Sequence, residues 1–155
     1  MQYNIVFHPS WWHKNAGIDF SESFWNDPEV RIEADMKMRR VLFERFGTFG
    51  LGEENPKPRP LIGSDLLACG YLPSQILGCK VVFSKNDAPQ VLCAELDEED
   101  ALAIPFPDFD KNPVWQGIQR QLDWLQEKYG RVEVISRYGK CAVGFMPIQA
   151  ASVAE

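Results

Sequence analysis

The side chains that could do chemistry are few and scattered. His8 and His13 are the only histidines and stand five residues apart; a metal site built on them would need further Asp, Glu or Cys ligands, and no spacing supplies these. They read instead as polar residues in a loop among aromatic neighbours. The four cysteines, Cys69, Cys79, Cys93 and Cys141, form no CxxC pair and read as reduced, mostly buried thiols. Ser64 and Asp65 lie between Gly63 and the apolar pair Leu66-Leu67, and from these neighbours alone either could cap a helix starting at Leu66. The acidic run Glu95 to Asp100 reads as a solvated helix start. The stretch from Gly47 to Gly63 carries neither a GxGxxG nor a Walker pattern, so nothing points to a nucleotide. Trp11, Trp12, Phe20, Phe24 and Trp25 could line a flat pocket, form core or make a partner interface, and core is the commonest fate of such a cluster.

Composition narrows the classes. The chain has 155 residues, 45% hydrophobic and 25% charged, which is ordinary for one globular domain and excludes collagen, coiled coil and bulk disorder. Sixteen basic against 22 acidic residues give a net charge of -6, which argues against a generic electrostatic grip on nucleic acid. Uninterrupted apolar stretches run to only a few residues, against the roughly 20 a membrane helix needs. The first residues, Met-Gln-Tyr-Asn-Ile-Val-Phe-His, show no basic region followed by an apolar one, so a cytoplasmic address is expected.

The elements that must position these groups follow from caps and periodicity. A helix is expected from Asp27-Pro28, with Asp27 as cap and Pro28 at the first helical position. Val30, Ala34, Met38, Val41, Leu42 and Phe46 form its apolar series, Arg31, Glu33, Asp35, Lys37 and Arg39 occupy the other faces, and Gly47 ends it. A second helix is expected after Asn112-Pro113, with Val114, Ile118, Leu122, Leu125 and Tyr129 as its stripe and Gly130 as its stop. It runs into a short strand over Val132 to Ile135, and this rhythm points to an α/β protein. Between the helices, Gly47 to Gly63 reads as a Gly- and Pro-rich loop, and Asp65 to Leu77 as two short helices or a kinked one. Cys79 to Phe83 and Gln90 to Cys93 flank a turn-forming cluster and read as a β-hairpin.

Three stretches in this order carry a resemblance. Gly63-Ser64-Asp65-Leu66-Leu67, followed by Ile76-Leu77-Gly78-Cys79-Lys80-Val81-Val82-Phe83, is similar to the Phe-Ser-Asp-Ile-Leu and Ala-Leu-Gly-x-x-Val-x-Phe segment of uroporphyrinogen decarboxylases and the related methylcobalamin-dependent methyltransferases. The helix from Asp27 to Gly47 resembles the one that precedes this segment in the family, and Trp12-His13-Lys14-Asn15-Ala16-Gly17-Ile18 stands where decarboxylases carry Trp-Met-Arg-Gln-Ala-Gly-Arg. The resemblance covers about residues 5–139 of a single domain, with a divergent tail over 140–155.

It implies the N-terminal portion of a (β/α)8 barrel, too short to close one, since a closed barrel takes about 250 residues. Several helices, one hairpin and a short strand are then expected. Asp65 is implied as the carboxylate that accepts pyrrole N–H groups and stabilises the cation formed on protonation, an effect strongest in a dry pocket. Trp12, His13, Lys14, Asn15, Gly17 and Ser64 are implied as substrate-facing, with Trp12 to Gly17 a loop. Lys14 and Ile18 replace the family's two arginines, which shifts the reading from polycarboxylated porphyrinogens toward the methyltransferase side. The implied function is a divergent or truncated decarboxylase-like protein or corrinoid-linked methyltransferase, with methylcobalamin as cofactor and a tetrapyrrole or corrinoid protein as partner. The alternative is a non-catalytic module that pairs with another copy or chain, because an open strand edge invites pairing.

Overall fold

The computed structural model describes residues 7–62, 71–92, 95–130 and 132–134. Ser64, Asp65, Cys69, Cys93, Cys141 and the tail over 140–155 lie outside the described residues. Along the chain run α1 (Pro9–Ala16), α2 (Glu22–Asn26), α3 (Pro28–Phe46), a 3-10 turn (Gly47–Phe49), β1 (Leu61–Ile62), α4 (Tyr71–Ile76), β2 (Val81–Val82), β3 (Gln90–Val91), α5 (Glu98–Leu102), α6 (Pro113–Tyr129) and β4 (Glu133–Val134). β1 pairs with β4 in parallel, Leu61 opposite Glu133, and β2 pairs with β3 antiparallel, Val81 opposite Val91.

The two long helices begin where their caps dictate. Asp27 accepts from the amides of Glu29 and Val30, and Asn112 accepts from those of Val114 and Trp115. In each, a proline at the first position gives up an N–H that would have had no partner. The Asn112 carboxamide also donates to Ile76 O at 2.9 Å, so one side chain caps the start of α6 and the end of α4 together. Gly130 closes α6 as expected, with φ 69°. α3 ends at Phe46 with Gly47 as its cap, as expected, but Gly47 stays right-handed at φ -60° and leads into the 3-10 turn, so the left-handed turn comes at Gly50, φ 76°.

The buried face of α3 departs from the expected one. Arg31, Ile32, Asp35, Met38 and Arg39 face inward, whereas Val30, Ala34, Val41 and Leu42 are only half-buried. Three charges expected on outer faces are therefore interior, and each has partners there. Arg59 reaches both oxygens of Asp35, at 2.5 and 3.2 Å, and Arg39 places Nε and Nη2 on Oδ2 at 2.9 and 2.8 Å. Arg39 also pairs with Glu53 at 2.5 Å and donates to Lys57 O at 2.5 Å. Two acids and two arginines thus balance, and the 51–60 segment that supplies Glu53, Lys57 and Arg59 is drawn back along α3.

Its approach is close. Glu53 N donates to Arg39 O at 3.1 Å, and Gly52, at φ 77°, lies so near that any Cβ would collide with the Phe43 amide and the Arg39 carbonyl. Only glycine meets both conditions. The segment then delivers the chain to β1, on which α3 and α6 both pack.

The core is aromatic. Phe20 and Phe24 are fully buried, with Trp12, Trp25 and Tyr71 nearly so, and edge-on contacts run from Phe20 through Phe24, Trp25 and Tyr71 to Phe83. The Trp25 indole N–H donates to Phe20 O at 2.9 Å, so burying it leaves no polar atom without a partner. The hairpin turn is fastened to this cluster where Phe20 N donates to Lys85 O at 3.0 Å.

Because Asp35 neutralises two guanidinium groups away from water, Asp35→Asn is expected to lower stability by about 3 kcal/mol, measured by urea unfolding. Lys111→Gln, which removes the exposed pair with Asp108, should stay within about 0.5 kcal/mol. Equal losses for the two would contradict the assignment of the buried cluster.

Candidate functional site

The segment expected as a substrate-facing loop is helical. His8 caps α1 by accepting from Ser10 N at 3.3 Å, Pro9 occupies the first position, and Gly17 ends the helix at φ 60°, with His13 O accepting from Gly17 N. These local signals outweigh the loop expectation for residues 12–16. Trp12 points into the core, 4% exposed, and its indole N–H donates to Phe7 O at 3.1 Å. Asn15 is half-buried and donates to Trp11 O at 2.8 Å. His13 and Lys14 are exposed on the opposite side, where His13 Nδ1 donates to Ile18 O at 2.8 Å. Ile18, in the place of the family's second arginine, is core at 4% exposed. The structure thus gathers Trp12, His13, Lys14, Asn15 and Gly17 on one short helix and its cap, with Trp12 turned away from solvent.

His8 and His13 face different neighbours: the His8 Nε2 lies 3.5 Å from Asp87, while His13 turns back on its own chain. Among the described residues no three His, Cys, Asp or Glu side chains gather as a metal site would require. Cys79 is a free, half-buried thiol. Glu95 to Asp100 is exposed and includes the capped start of α5, where Asp97 accepts from Asp100 N. No helix among the described residues is long and apolar enough to cross a membrane.

Two clefts lined by described residues bear on the site. The larger, about 640 Å³, opens between the start of α3, α4 and α6, and its walls include Asp27, Glu29, Leu72, Gly117, Arg120, Gln121 and Trp124. The smaller, about 430 Å³, is almost wholly apolar and lies between α4 and the 104–109 segment, with Leu77, Ile104 and Phe106 on its rim. Neither is lined by Trp12 to Gly17.

Behind the larger cleft stands a group that the sequence reading placed outside. Arg31 is 3% exposed; it donates to Trp25 O at 2.9 Å and to Gln121 Oε1 at 2.9 Å, with Phe24 O at 3.5 Å. Burial pulls its pKa down to about 10, while the charges of Tyr71 and Asp27 oppose the shift, so Arg31 is a cation at neutral pH. Gln121 itself is 7% exposed. The signal that could have found it is its place in α6: Ile118, Gln121 and Leu125 share one buried stripe, and a carboxamide in such a stripe needs a partner.

No family model, curated protein or solved structure matches the chain.

The turn after α1 offers a pH test. Asp19 Oδ1 accepts from Ser21 N at 2.8 Å, and hydrogen bonds from Ser21, side chain first and then backbone, hold the Asp19 carboxyl below its usual 3.8. A depressed carboxylate adds stability that is complete above 3.8 and fades as pH falls through its folded value. An NMR titration should place Asp19 below 3.8, and Ser21→Ala should bring it back up; an Asp19 that titrates at 3.8 in both would contradict the turn.

Proposed function

We propose that the chain is a divergent uroporphyrinogen-decarboxylase-like protein that acts on, or transfers a methyl group from, a tetrapyrrole or corrinoid, with Asp65 as its key carboxylate. The observation that carries the reading is the parallel pair of β1 and β4. In the sequence, Gly63-Ser64-Asp65 follows the last residue of β1 directly, and parallel α/β proteins carry their reactive side chains just past the C-terminal ends of strands. α6 runs into β4 through Gly130, the helix-then-strand order that a barrel repeats.

On this reading a fixed carboxylate at Asp65 would stabilise positive charge on a ring. Exposed Lys14 and His13 would meet the acidic rim of the ligand, and Trp12 would anchor α1 to the core without touching ligand. Methylcobalamin would bring the methyl group. What the chain supplies is charge and position.

A second reading is favoured by one observation. Leu102 and Phe106 are 81% and 87% exposed, and Phe106 lines the apolar 430 Å³ groove. Large apolar side chains left in water at this density mark partner surfaces. On that reading the chain is a non-catalytic module that pairs with another chain.

The first test is size-exclusion chromatography of the purified chain mixed with methylcobalamin or a porphyrin, followed by visible absorbance. Pigment should co-elute with the wild type, and Asp65→Asn should weaken retention about tenfold, the cost of one charge-assisted hydrogen bond. Absent or unchanged retention would overturn the tetrapyrrole reading. Light scattering on the same fractions decides the second: an oligomer that Phe106→Ser dissociates supports pairing, and a monomer at every concentration contradicts it.

A further inference from the structure

We propose that the 640 Å³ cleft on α6 binds a small carboxylate carried on a flat apolar body, an aromatic or heteroaromatic acid, with Gln121 and Arg120 as its oxygen-binding groups. The site is independent of the tetrapyrrole reading, since it uses none of the residues from Trp12 to Gly17 nor Asp65.

The orientation of Gln121 carries the inference. Arginine can only donate, so the atom of Gln121 that faces Arg31 at 2.9 Å is the carbonyl oxygen, and the NH2 group occupies the other position. Arg31 is itself fastened by the carbonyls of Phe24 and Trp25. No described residue accepts from the Gln121 NH2; the residue lines the cleft, and this group meets the cleft's solvent and is not sealed inside the protein. An amide whose oxygen is held by Arg31 presents both N–H groups to the cleft in a fixed direction, where an oxygen acceptor can take them. The Arg31 guanidinium behind it polarises the carboxamide in the direction that strengthens donation to an anion.

The rest of the wall sets the class of that acceptor. Arg120, one residue before Gln121, is exposed and has no ion pair among the described residues, so its planar fork is available for a carboxylate. Across the cleft the two acids are already engaged. Asp27 Oδ1 accepts from Glu29 N and Val30 N, and Glu29 takes the Lys128 ammonium at 2.6 Å. They leave room for one negative charge facing Arg120 but disfavour a phosphate dianion. Leu72, Val114, Ile118 and Trp124 supply the apolar walls. Gly117, one turn before Gln121, leaves a bare stretch of α6, where an added Cβ would come no closer than 3.8 Å to Arg120 Nη2. A flat body can lie there with its carboxylate toward positions 120 and 121. The volume is in the range of small-molecule sites.

The test is a titration of the 15N-labelled full chain, read by two-dimensional NMR, with benzoate as probe and benzamide and benzylammonium as comparisons. Benzoate should shift the Gln121 side-chain amide, the Gly117 amide and the Trp124 indole N–H along one saturating curve, benzamide more weakly, and benzylammonium not at all. Gln121→Glu keeps an acceptor for Arg31 and so preserves the fold, while removing the donors; it should weaken benzoate about tenfold or more. Arg120→Gln, on an exposed residue that the fold does not need, should weaken it to a similar degree and abolish the preference for benzoate over benzamide. Benzoate shifts that are absent, that benzylammonium reproduces, or that survive both substitutions would overturn the site.

Discussion

Asp35 is the point on which the arrangement turns. A carboxylate 3% exposed is costly unless it is paired, and here it is held by two guanidinium groups, one from the next turn of α3 and one from 24 residues downstream. A segment with three prolines between 56 and 60 cannot make regular hydrogen bonds with itself; Pro56, Pro58 and Pro60 have no N–H to give. Beyond the backbone bond from Glu53 N to Arg39 O, its attachment therefore falls to side chains. Glu53 and Lys57 O hold Arg39, Arg59 holds Asp35, and the bare backbone of Gly52 lies against α3. The consequence is the placement of β1.

The second buried cation, Arg31, does at the other end of α3 what Arg39 does in the middle. Through Trp25 O it fixes α2, and through Gln121 it fixes α6, so three helices meet at one guanidinium. Both arrangements bury a charge on α3 and satisfy it from distant parts of the chain. The first draws in a loop; the second leaves an open cleft whose donors are set by the same bonds.

What the sequence made legible was local. Asp27-Pro28 and Asn112-Pro113 mark helix starts within four residues, and the hairpin around 84–89 was readable from its turn cluster, because the partners of these signals are neighbours in sequence. The inward face of α3 was misread because a periodicity argument sends Arg31, Asp35 and Arg39 to water, and several of the groups that make their burial tolerable, Glu53, Arg59 and Gln121 among them, lie 14 to 90 residues away. The helix at Pro9–Ala16 is equally local, with Pro9 at its first position and Gly17 after it, whereas the family resemblance implied a loop there. Asp65 could be singled out only through that resemblance. Gln121 was visible as a polar residue in the α6 stripe, yet nothing near it in sequence reveals that Arg31 is its partner.

The most direct test of the Asp35 anchor is native-state hydrogen exchange on the wild type and on Arg59→Met, which keeps much of the side-chain bulk and removes the bond to Asp35. If the anchor places β1, the amides over 51–62 should lose protection first, while those in the middle of α6 keep theirs. Unchanged protection over 51–62, or a uniform fall across the whole molecule, would contradict it.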